Sequence, residues 1–84
     1  MNNKIALESL AMDLKRVALG YNRGSVVMAQ RFYQEALERI KEVDTASIRP
    51  YLKTVLHQVG ELQEDAENAL RLSILIQNYT QTYL

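Results

Sequence analysis

The chain has 84 residues, near the size at which one hydrophobic core is only marginally sufficient, so it reads as a single domain that association with another copy would strengthen. Ten basic and ten acidic residues cancel and are interspersed, four against two up to Gly24, three against four from Ser25 to Asp44 and three against four thereafter, which argues against nucleic-acid or anionic-lipid binding. With 48% hydrophobic residues, one Pro and three Gly the composition is globular, and with no Cys it excludes a disulfide framework, thiol chemistry and the usual zinc ligand sets; a cytoplasmic address fits.

The first predicted helix covers about 4–20. Asn2 and Asn3 are good N-cap residues, and Leu7, Leu10, Leu14, Val17 and Tyr21 follow at helical spacing. A second set, Ile5, Met12 and Leu19, recurs every seven residues on a neighbouring face, so the apolar arc is wider than one partner helix requires. Lys4 ahead of apolar residues invites comparison with a signal peptide, but Glu8 and Asp13 interrupt the run and Lys15 and Arg16 follow it. Gly20 to Gly24 should end the helix.

Ser25 is the expected N-cap of a second helix over about 26–43, whose buried stripe is Ala29, Phe32, Ala36, Ile40 and Val43. Arg31, Glu35, Glu38, Arg39, Lys41 and Glu42 mark its wet side. The short link predicts an antiparallel hairpin of helices one and two. Ala29, Tyr33 and Ala36 resemble the second helix of a tetratricopeptide repeat over about a dozen residues; no second copy follows, and no function is carried across.

From Ile48 to Tyr83, small and apolar residues alternate in steps of four and three: Ile48, Leu52, Val55, Val59, Leu62, Ala66, Ala69, Ser73, Ile76, Thr80 and Tyr83. That spacing predicts one long third helix over 48–82, capped by Ser47 with Pro50 in its first turn, its seam suited to close packing. A break at Gly60 is the alternative, because Glu61, Glu64, Asp65 and Glu67 are what the first turn of a new helix favours. A continuous helix of about 35 residues would be roughly 50 Å long and outrun a hairpin of about 25 Å. Half of it would then expose an apolar patch that a second copy could cover, giving an all-α bundle completed by dimerisation. The expected interface residues are Leu70, Leu72, Leu75, Ile76, Tyr79 and Tyr83, with a contribution from the rim of helix one.

Residues for chemistry are sparse. His57, the only histidine, has Glu61 and Glu64 four and seven residues on, a spacing that could gather an imidazole and two carboxylates round one ion but reads as a solvated flank. No nucleophile motif, phosphate loop or paired Glu-x-x-His is present, so no catalytic, cofactor or metal residue is assigned. The expected role is a non-catalytic helical interaction or oligomerisation module, partnered by a second copy or another helical protein. The competing reading is a small nucleic-acid-associated regulator using Lys15, Arg16, Arg23 and Arg31 around the first turn.

Overall fold

Asn2 starts the first helix by accepting a hydrogen bond on its side-chain oxygen from the Ile5 N–H at 2.9 Å, as its position ahead of an apolar stripe predicts. In the computed structural model, which describes residues 2–84, helix α1 spans Asn3–Asn22, α2 Val26–Lys41, α3 Pro50–Gly60 and α4 Ala66–Tyr83, with a 3-10 turn over Thr45–Ser47 between α2 and α3. Gly24, at φ 74°, takes the left-handed conformation that closes the α1–α2 turn. The two helices return as the predicted antiparallel hairpin. Its open end is tied by Asn3, whose side chain donates to the Asp44 carbonyl at 3.1 Å and accepts from the Asp44 N–H at 2.8 Å.

The single helix expected over 48–82 is two helices, and the break at Gly60 is the arrangement found. Ser47 does not cap α3; it sits in the 3-10 turn, where its hydroxyl donates to the Asp44 carboxylate. Arg49, extended as a residue before proline should be, takes the N-cap position ahead of Pro50. At the other end of α3 the Tyr33 hydroxyl donates to the carbonyls of Val59 at 2.8 Å and Gly60 at 3.2 Å, groups that helical bonds to residues 63 and 64 would otherwise occupy. Burial holds the Tyr33 hydroxyl above its ordinary pKa, so it stays protonated and donating. Asp65 then opens α4 by accepting from the Asn68 N–H at 3.1 Å, with Glu67 in the first turn. The four-three phase survives the break because Leu62, inside the link, is half-buried against both clusters of core residues.

α1 is the central helix. It packs along α2 on one side and α4 on the other, while α3 closes on α4 and touches α2 at its edge. Leu7, Leu10 and Leu14 of α1 form one cluster with Ala36, Leu52, Val55, Val59, Leu72, Ile76 and Tyr79. Val17 and Ala18, late in α1, meet Ala69, early in α4, whereas Glu8 to Lys15 lie beside Gln77 to Gln81. α1 and α4 therefore run antiparallel. Ala11, Ala18, Ala69, Ser73 and Thr80 are all buried, so small residues on both helices permit the close approach that the seam predicts. The Ser73 and Thr80 hydroxyls donate to their own helix, to the Leu70 and Gln77 carbonyls.

The break at Gly60 decides the shape. The longest dimension is 36 Å, too short for a 50 Å helix, and the radius of gyration of 11.9 Å is what a folded monomer of this length should have, about 12 Å. The four helices share their core within one chain.

Candidate interaction surface

The six expected interface residues divide. Leu72, Ile76 and Tyr79 are buried in the core of the single chain, so they are not available to a partner in this structure. One long helix would outrun its neighbours and leave them uncovered; because the chain turns at Gly60, α3 and α1 cover them. Leu75 is half-buried against the same cluster. Tyr83 is exposed but engaged at the C-terminal end of the bundle, where the Arg49 guanidinium lies 4.1 Å above its ring and the Tyr79 ring is 5.0 Å away. Tyr79 also accepts a hydrogen bond from the Arg49 N–H at 3.1 Å, so this aromatic pair anchors the start of α3 to the end of α4. Leu70 alone stands clear of the core.

Exposed apolar residues gather elsewhere on the same helix and on α1. Of ten large hydrophobic residues exposed among the described residues, six are Ile5, Met12, Leu19, Leu70, Ile74 and Leu84. Ile5, Glu8, Met12, Lys15 and Leu19 are separated by steps of three, four, three and four, which places them in one row along α1. Leu70, Ile74, Gln77, Gln81 and Leu84 form the matching row along α4, in steps of four, three, four and three. The two rows flank a groove of about 410 Å³ lined by Glu8, Ala11, Met12, Lys15, Gln77, Thr80 and Gln81. Leucine, isoleucine and methionine with amide neighbours offer dispersion contact and hydrogen bonds, and Glu8 and Lys15 add one exposed charge of each sign.

The sequence already put Ile5, Met12 and Leu19 on a second apolar face of α1. It did not separate them from the core set, since periodicity defines faces without saying which is covered. On α4, Leu70 and Ile74 share an apolar stretch with the core residues Leu72 and Ile76, and only the turn at Gly60 separates the covered set from the open one.

The most unusual side chain lies on the other side of α1. Asp13 is buried between α1 and α2, 3.8 Å from the Arg16 guanidinium and 3.7 Å from that of Arg39, and its Oδ2 accepts no hydrogen bond. Burial, and after it the Glu35 carboxylate, hold its pKa above the ordinary 3.8, against the lowering by Arg39 and Arg16. A carboxyl raised in this way binds its proton more tightly in the folded state than in the unfolded one. Its contribution therefore favours the fold below the ordinary carboxylate range and is lost as pH rises through the raised folded value. Asp13→Asn, which removes that ionisation, should raise stability at pH 7 and lose this advantage on acidification; urea unfolding of both proteins at pH 7 and pH 4 measures the difference. An advantage identical at the two pH values would contradict it. The signal in the sequence is position: Asp13 falls among Leu10, Leu14 and Val17, with Arg16 one turn on.

The remaining candidates do not converge. The His57 imidazole meets the Glu61 carboxylate at 2.7 Å, both exposed, while Glu64 lies beyond the end of α3 in the link. Among the described residues no three His, Cys, Asp or Glu are placed to hold a metal ion, and no helix is long and apolar enough to cross a membrane. Of the four cations near the first turn, Arg16 is drawn to Asp13 and lies 5.3 Å over the Phe32 ring, and Arg31 lines a separate hollow with Tyr21, Tyr33 and Glu64. Comparison with protein-family models, with curated proteins and with solved structures returned no match.

Proposed function

We propose that this chain is a non-catalytic helical association module whose working surface is the outward side of α1 and α4. The observation that supports it is the pair of parallel rows, with Ile5, Met12 and Leu19 on one helix and Leu70, Ile74 and Leu84 on the other, each between about two-fifths and just over half exposed in a chain whose core is already closed. Such a patch on a small monomer marks a surface that another helical face covers. The half-exposed side chains give up the rest of their accessible surface on association, at roughly 25 cal/mol per Å².

Met12→Lys with Ile74→Lys places an ammonium on each row and leaves the core untouched, since both positions are exposed. Light scattering on size-exclusion peaks should then give the mass of one chain for the double variant, whereas the parent protein gives a higher mass that rises with concentration. An unchanged mass in the variant would move the association surface elsewhere on the molecule.

A further inference from the structure

The row on α1 has an apolar centre and apolar ends, with an acidic residue on one side of the centre and a basic residue on the other. Met12 is its centre, with Ile5 seven residues before and Leu19 seven residues after; Glu8 lies four before and Lys15 three after. We infer that the occupant of this surface is a second copy of the chain, related by a twofold axis through Met12 that sets α1 antiparallel to the partner's α1. This rests on the association reading above and adds the occupant and its register.

Under that symmetry Ile5 meets the partner's Leu19, Met12 meets the partner's Met12, and Glu8 comes within one residue's rise, about 1.5 Å along the axis, of the partner's Lys15. Both charges are on exposed positions lining the groove, so both reach the contact. On α4, Gln77 lines the same groove as Met12; with the antiparallel rows aligned Met12 to Gln77, it meets the partner's Gln77, an amide pair in which each side chain can both donate and accept. The other twofold arrangement, with α1 laid over the partner's α4, places Glu8 against Gln81 and Lys15 against Ile74 and leaves both charges without a counterion. Charge complementarity selects the first arrangement, since like or unpaired charges across an interface are what fix its register.

The test is a charge-reversal cycle. Glu8→Lys sets two lysines against each other at both ends of the contact, Lys15→Glu sets two glutamates, and the double variant Glu8→Lys/Lys15→Glu restores opposite pairs. By sedimentation equilibrium each single variant should self-associate about tenfold more weakly than the parent, while the double variant and an equimolar mixture of the two single variants return to within a few-fold of it. Lys53→Glu, an exposed reversal on α3, alters net charge equally and should leave association unchanged. Met12→Cys, the sole thiol in its chain, should form a disulfide-linked dimer on mild oxidation.

Single variants that associate as tightly as the parent, a double variant as weak as the singles, or equal weakening by Lys53→Glu would overturn the register. If Met12→Lys/Ile74→Lys still dissociates the protein in that case, the association surface stands and only the symmetry is wrong. A parent protein that remains monomeric overturns both.

Discussion

Leu10→Ala should lower the unfolding free energy by about 2–5 kcal/mol, the range for a buried leucine whose cavity closes only in part. Leu10 is fully buried on the central helix, in the cluster that joins all four helices, so no neighbouring element can move into the gap without leaving another contact. An 84-residue domain has on the order of 4–13 kcal/mol in total. The loss is therefore a large fraction of the whole, and the melting temperature should fall by about 8 °C or more. Met12→Ala on the same helix is the control, because an outward, half-exposed side chain should change monomer stability by no more than about 0.5 kcal/mol. Urea unfolding at a concentration where the chain is monomeric checks the pair: the midpoint should drop for Leu10→Ala with an unchanged slope, and barely shift for Met12→Ala. Equal losses at the two positions would mean that α1 does not have one covered and one open face.

Gly20→Ala should destabilise the protein even though alanine is the better helix former by about 1 kcal/mol. A Cβ at position 20 would lie 2.8 Å from the Ala29 backbone nitrogen and 2.9 Å from its Cα and Cβ. Those atoms are backbone and a fixed methyl, so no rotamer change relieves the overlap and α1 and α2 must separate near their turn. Overpacking of this kind costs about 1–3 kcal/mol. Gly60, the last residue of α3, has no such neighbour within 4 Å and a helical backbone, so Gly60→Ala should be neutral or stabilising by up to about 1 kcal/mol. Thermal unfolding of the two variants should move in opposite directions. A stable Gly20→Ala protein would show that the hairpin is looser than the Gly20–Ala29 contact requires.

These two glycines also show what the sequence makes legible. The all-α class, the cap at Asn2, the hairpin and most of the buried positions of α1 follow from spacing, because burial of one face is a local pattern repeated over several turns, whereas of the stripe expected on α2 only Ala29 and Ala36 are buried within the helix. Along Ile48 to Thr80 most of the four-three seam turns inward across the two helices, but Leu56, Leu72 and Tyr79, which lie off the seam, are buried as well. The local signals of the break are Gly60 and the acidic residues after it, whereas the Tyr33 hydroxyl that takes the last carbonyls of α3 comes from a residue 26 positions earlier than Val59, which no pattern within the segment encodes. Leu62 kept the helical phase across the link for a reason unrelated to helix continuity: it fills the junction of two clusters. Gly20 reads as a turn residue in the sequence, yet it lies within α1, where it is needed for the approach of Ala29.

The surface was harder than the core for a physical reason. Apolar residues occupy both faces of α1, and only the placement of α2 and α4 decides that Leu10 and Leu14 are covered while Ile5, Met12 and Leu19 are not. Leu72, Ile76 and Tyr79 face a partner only if the third helix extends beyond its neighbours, and folding back at Gly60 puts them in the chain's own core. Leu70 remained outside, and with Ile74 it supplies the α4 half of the proposed surface.

The most direct test of that surface is the solution mass of the unmodified protein by sedimentation equilibrium, across concentrations from about ten micromolar to one millimolar. Association through α1 and α4 predicts a mass that climbs from 9.7 kDa towards twice that value as concentration rises, described by a single monomer–dimer equilibrium. A mass fixed at 9.7 kDa throughout would contradict it.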